Sequence, residues 1–134
     1  VKDLDFGQGR VFLRNTKGGK DRTVMLPDSI RQALKEQIDD VIDLHKKDIQ
    51  EGFGEVYIPA AFSRKYPNAA KEPGWQYVFP SKRLSKDPRS GKTRRHHVLE
   101  SGLQKAVKRA LTKAKIHKKA GCHTLRHRFA THLL

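Results

Sequence analysis

The chain closes on Gly121-Cys122-His123-Thr124-Leu125-Arg126-His127-Arg128-Phe129-Ala130-Thr131-His132-Leu133-Leu134, and the reading of this stretch decides the rest. His123, Arg126, His127 and Arg128 crowd basic and titratable side chains together before the sequence turns apolar. A helix from about Thr124 places Leu125, Phe129 and Leu133 on one stripe at i, i+4 spacing. His123 and Arg126, three apart, then sit near the helix start on a neighbouring face. Donors at the positive end of a helix dipole make a phosphate clamp. The same spacing also describes a basic surface turn entering an ordinary core helix, and it does not separate the two.

Charge points the same way as the clamp. The 134 residues carry Lys+Arg 29 against Asp+Glu 14, a formal net charge of +15. A domain this basic repels itself unless a polyanion neutralises it, so nucleic acid is the leading partner. A membrane surface is the competing polyanion, but the basic stretches are not amphipathic helices carrying Trp or Phe. An apolar fraction of 36% allows a core under a large wet surface. No run approaches the length of a membrane span. The single cysteine, Cys122, excludes an internal disulfide and fits a reducing cytoplasm.

Upstream, Arg10 to Arg14 and Arg22 to Leu26 are short β-favouring runs flanking Asn15-Thr16-Lys17-Gly18-Gly19-Lys20-Asp21. This predicts a hairpin presenting Lys17 and Lys20, either to a ligand or merely to solvent. Asp28 is the expected N-cap of a helix whose stripe is Ile30, Leu34, Ile38, Val41 and Ile42, running to about Ile49. The acids Glu36, Asp39, Asp40, Asp43 and Asp48 make its outer face one that repels phosphate. Gly52 and Gly54 end it.

Residues 56–97 differ in character. Ala60 to Tyr66 suits a short helix, and Gln76 to Phe79 suits a strand ended by Pro80. The segment holds Tyr57, Tyr66, Tyr77 and Trp75 among Arg64, Lys65 and Lys71. Aromatics among cations suit base stacking, and they equally suit pinning a long connection to the core. Lys82, Arg83, Lys86, Arg89, Lys92, Arg94 and Arg95 face a lone acid, Asp87, across Pro88 and Gly91, which reads as an exposed basic loop or loose hairpin. Val98 to about Ile116 reads as a helix burying Leu99, Leu103, Ala106, Val107, Ala110, Leu111 and Ala114.

Several chemistries fail on spacing. His123 and His127 stand at the i, i+4 interval of a helical zinc pair, but Thr124 occupies the place of the general-base Glu, and no second Cys exists. His96-His97 lack a third ligand. No phosphate-binding glycine loop is present. We therefore expect no metal site and no cofactor.

His123 to Leu134 resembles the "HxLRHxFATHLL" box of tyrosine recombinases of the phage-integrase type. The hairpin Thr16 to Arg22, followed by Val24-Met25-Leu26-Pro27, is similar to that family's β-hairpin lysine element. Lys65 to Ala69 and Trp75 to Ser81 look like the insertion that marks integron integrases. The resemblance implies an α+β, mainly helical, DNA breaking-rejoining fold with a small antiparallel sheet. Residues 1–134 would form part of a catalytic domain, with 56–97 as insertion and basic loop.

It further implies metal-free transesterification through a 3′-phosphotyrosyl link. Arg126 and His123 would act at the phosphate, and Lys17 as general acid, with Lys20 as fallback. Trp75, and Pro88 with His96, would hold extrahelical bases, while Lys82, Arg83, Arg94 and Arg95 meet DNA. The implied partners are duplex DNA and folded single-stranded sites, bound by a homotetramer inside the bacterial cytoplasm, nucleoid-associated when bound. The alternative is a non-catalytic basic DNA-binding module sharing the fold. Both ends of the chain read as cut: the family's first arginine belongs upstream of Val1, and its nucleophilic tyrosine belongs beyond Leu134. We therefore expect this stretch alone to be monomeric and unable to cleave DNA.

Overall fold

The β-favouring runs near the start fold as the expected hairpin. In the computed structural model, which describes residues 1–16 and 18–132, β1 (Leu4–Asp5), β2 (Arg10–Leu13) and β3 (Arg22–Met25) form an antiparallel sheet in the order β1-β2-β3. Val11 lies opposite both Leu4 and Val24, which fixes the register. The β2–β3 turn is closed by the amide and hydroxyl of Thr16, which donate to the Lys20 carbonyl at 3.0 and 2.6 Å. Gly18 and Gly19 there take φ of 88° and 71°, which an L side chain resists.

Helix α1 (Asp28–Gln50) follows directly. Pro27, not Asp28, holds the cap position, and no side chain caps the helix; Asp28 instead accepts from Arg31 at 2.7 Å. Its inner face buries Val41, His45 and Asp48, while Ile30 and Ile49 stay exposed. Asp48 thus departs from the solvated acidic face expected of it. After the helix, Gly54 at φ 92° passes so close to Ile49 that an added Cβ would lie 2.5 Å from its Cδ1. Only glycine fits there.

A small core then gathers Val56, Ile58 and Ala69, with Phe62, Ala70, Trp75 and Tyr77 packed against it. Helix α2 (Ala60–Lys65) and two short 3-10 turns, Ala69–Lys71 and Pro73–Trp75, carry Phe62, Ala69, Ala70 and Trp75, while Val56, Ile58 and Tyr77 lie outside regular elements. Gln76 to Phe79 do not form the expected strand; β4 (Pro80–Lys86) begins at the proline thought to end it. Separate backbone and side-chain hydrogen bonds hold this stretch, and the Gln76 amide donates to the Pro73 carbonyl at 3.1 Å. Gln37 Nε2 donates to the Val78 carbonyl at 2.9 Å, and buried Gln76 donates to the carbonyl of Glu72 at 3.2 Å.

The basic stretch, expected as an exposed loop or a loose hairpin, is a paired hairpin. β4 runs antiparallel to β5 (Thr93–His97), with Leu84 opposite Arg95, Lys86 opposite Thr93, and an irregularity between Pro80 and Leu84.

Residues Val1–His97 form one compact unit and Val98–Leu134 a second. The second holds α3 (Glu100–Lys113) and α4 (Cys122–His132). The stripe expected to be buried on α3 is not: Leu99 and Leu103 are 71% and 62% exposed, and Ala106, Ala110 and Ala114 are exposed too. Only Val107 and Leu111 are half-buried. Two helices offer each other one face apiece, too little to cover an apolar stripe this wide. Leu125 and Phe129 on α4 are likewise exposed, and the third member of that stripe, Leu133, lies outside the described residues. The architecture is α+β, with small antiparallel sheets beside its helices.

Candidate nucleic-acid interface

The closing box is helical from Cys122, slightly earlier than its pattern predicts. The Gly121 amide donates to Thr124 Oγ1 at 3.2 Å, and the Leu125 amide to the Gly121 carbonyl at 3.1 Å, which secures the first turn. His123 and Arg126 are both exposed on the opening turns. His123 and His127 meet one turn apart, with Nε2 to Nε2 at 2.8 Å and rings edge-on at 4.4 Å. His123 also lines an open cleft with Lys108 of α3 and with His117, Lys118, Lys119 and Cys122. Cationic walls around a helix N-terminus suit a phosphate oxygen.

Lys17 lies outside the described residues. Lys20 is exposed at the base of its turn, within the first unit, while His123 and Arg126 belong to the second. On the β4–β5 hairpin Lys82 and Arg83 are exposed, Pro88 is exposed in the turn, and His96 is half-buried on β5.

Arg94 and Arg95, expected on an exposed loop, are held inside the fold. Arg94 is buried against Asp87, with Ser90 Oγ accepting from it at 3.1 Å. Arg95 donates through Nε and Nη2 to both Asp48 oxygens, at 2.6 and 2.7 Å, and through Nη1 to the Ser81 carbonyl at 2.8 Å. Each guanidinium found a buried carboxylate, and such a pair is costly to open. The Asp48 hydrogen bond, ahead of its charge, pushes the Arg95 guanidinium above its ordinary value, against some desolvation. The amide of Arg89, helped by Ser90 and Arg94 and opposed by burial, holds the Asp87 carboxyl below the usual carboxylate range.

Trp75 is half-buried, its ring 4.8 Å from Phe62 and covered by Lys2 Nζ at 4.5 Å. That is the packing of an aromatic pinned to the core. One face of the same region stays open: Trp75, Tyr77 and Phe79 line an apolar groove with Val11, Leu26 and Leu34.

Sequence reasoning placed breakers at Pro88 and Gly91 but missed that Asp87, which opens this turn, is buried as the partner of Arg94. It also missed the pair to His123, weighing the i, i+4 spacing of His127 only for metal. Among the described residues no three His, Cys, Asp or Glu side chains gather as metal ligands, and no helix is long and apolar enough to cross a membrane.

A basic α+β chain with an exposed His-x-x-Arg at the start of a helix suits a phosphate-bearing partner, and its sequence fixes the family. The chain belongs to the phage integrase family, whose signature matches residues 1–134. It is 48% identical over 134 residues to proteins described as "Integrase/recombinase" from Escherichia coli and from Pseudomonas aeruginosa. The match takes in 100% of this chain and 40% of each relative, so the chain spans well under half the length of the relatives it matches.

Proposed function

We propose that this chain is part of the catalytic domain of a site-specific DNA recombinase acting through a 3′-phosphotyrosyl intermediate. A tyrosine oxygen, its phenol proton passing to solvent, bonds to the scissile phosphorus as the bond to the 5′-oxygen breaks, and the departing oxygen takes a proton from Lys17. Arg126 meets the charge that grows on the non-bridging oxygens, which its fork of donors suits. His123 donates to the same phosphate. The observation that carries this reading is the box itself, folded as α4 with His123 and Arg126 exposed together at its N-terminal turns. The relatives named integrase/recombinase support it.

The test uses the longer recombinase that contains this chain, on a nicked suicide substrate that traps the covalent adduct. Arg126→Ala is expected to slow adduct formation by at least ~100-fold, with DNA affinity changed only a few-fold. Unchanged rates would leave a DNA-binding module without catalysis. Adduct formation is expected to be equal in magnesium and in chelator, because Arg126 and Lys17 supply the charge and the proton.

Within the family, the segment 56–97 supports an integron integrase acting on folded single strands as a homotetramer. Trp75 and the Pro88–His96 pair would receive extrahelical bases, at about 1–3 kcal/mol per stacked base. Trp75→Ala in the longer protein is expected to weaken binding of a hairpin strand with bulged bases far more than binding of perfect duplex. Equal losses on both would make Trp75 a packing residue only.

A further inference from the structure

We infer that His127 is a positioning residue that sets which ring nitrogen of His123 carries the proton. Their Nε2 atoms stand 2.8 Å apart, a hydrogen-bond distance that admits one proton between them. In neutral rings, one Nε2–H must therefore donate and the other Nε2 must accept, and each choice fixes the tautomer of both. The inference rests on the reading of His123 as a phosphate donor.

A bound phosphodiester has no proton to give, so the nitrogen of His123 that faces it must carry one. His123 Nε2 is engaged by His127, which leaves Nδ1 for the phosphate oxygen. If His123 donated through Nε2, its Nδ1 would present a lone pair to an anion and repel it. If His127 donates, His123 becomes the Nδ1–H tautomer and its free nitrogen is a donor. The cleft that His123 lines also carries Lys108 of α3 with His117, Lys118, Lys119 and Cys122, and Arg126 and Arg128 lie along α4.

This is how an outer partner orients an imidazole at metal sites, where removing it costs ~10–100-fold. We expect a loss in the same range for adduct formation by the longer recombinase when His127 becomes Phe, which keeps a ring but has no donor. His127→Gln places an amide N–H at comparable reach and is expected to restore most of the rate.

The deciding measurement needs no activity. In the 134-residue chain labelled with 15N at histidine, the neutral His123 ring is expected to show the Nδ1–H pattern. It should revert to the Nε2–H form in His127→Phe and keep the Nδ1–H form in His127→Gln. An Nε2–H pattern for His123 in the wild-type chain overturns the inference and leaves the recombinase reading intact. An Nδ1–H pattern joined to full adduct formation by His123→Ala instead removes His123 from the chemistry, and its positioning role falls with it.

Discussion

At the scale of single residues, the titrating groups of the first unit act in opposite pH windows. Burial pushes the Tyr77 hydroxyl above its ordinary value, only partly offset by Arg89 and Arg94. A group whose native pKa is raised lends stability that is intact below its unfolded value, about 10 for tyrosine, and that fades as pH climbs through the native value. Tyr77→Phe is therefore expected to flatten the alkaline arm of a plot of urea midpoint against pH, while the plateau near neutrality stays in place. An alkaline arm identical to wild type would show that the phenol is not desolvated. Asp87 has the opposite sign. Held low by the Arg89 amide first and by Ser90 and Arg94 after it, it lends stability above the ordinary carboxylate value of about 4, and this is lost as pH falls through its lower native value. Asp87→Asn should reduce the acid-side slope, and the Tyr77 variant should not.

Between elements, the Arg95–Asp48 pair joins β5 to α1 through a bidentate contact with both side chains largely withdrawn from water. Removing one partner of a buried pair leaves the other charge uncompensated. Asp48→Ala is thus expected to cost ~3 kcal/mol or more in urea unfolding, whereas Asp43→Ala, which breaks an exposed pair with Lys46, should leave the midpoint where it is. A small effect at Asp48 would mean that water reaches the guanidinium. This contact also marks where the sequence stopped being legible. The Gly-Gly hairpin, α1 and α2 were readable because turn chemistry and i, i+4 periodicity are local signals. Asp48 was assigned to the solvated face because its partner lies 47 positions away, and no local pattern carries that. Gln76 to Phe79 suit a strand by composition, but the Gln37 side chain takes the Val78 carbonyl from 41 positions away, and β4 starts at Pro80 instead. The α3 stripe has correct helical spacing, yet spacing says only which residues share a face, and Leu99 and Leu103 stay exposed. The box was the most readable part of the site, down to its helix. The proton-sharing contact of His127 needed coordinates, because i, i+4 spacing alone fits metal binding, packing and hydrogen bonding alike.

For the whole molecule, the net +15 is unevenly laid out, and that unevenness has a measurable consequence. Acids concentrate on α1, where Asp39, Asp40 and Asp43 are exposed, while the outer positions of the β4–β5 hairpin and of α3 are cationic. Arg94 and Arg95 already have carboxylate partners, so their charges are largely unavailable to phosphate. Exposed Lys82 and Arg83 remain free to release counterions from DNA. Each phosphate neutralised contributes about 0.9 to the slope of log affinity against log salt on duplex, and about 0.7 on single strands. Replacing both Lys82 and Arg83 by Ala in the longer recombinase should therefore lower that slope by about 2 on duplex, and by somewhat less on a folded single strand. Fluorescence anisotropy across a potassium chloride series reads it directly. Lys46→Ala, which removes a charge from the acidic helix, is expected to leave the slope unchanged. Equal changes from both would mean that only total charge matters and that no face is preferred. A shift confined to the hairpin would tie DNA contact to the segment that the sequence reads as a basic loop or loose hairpin.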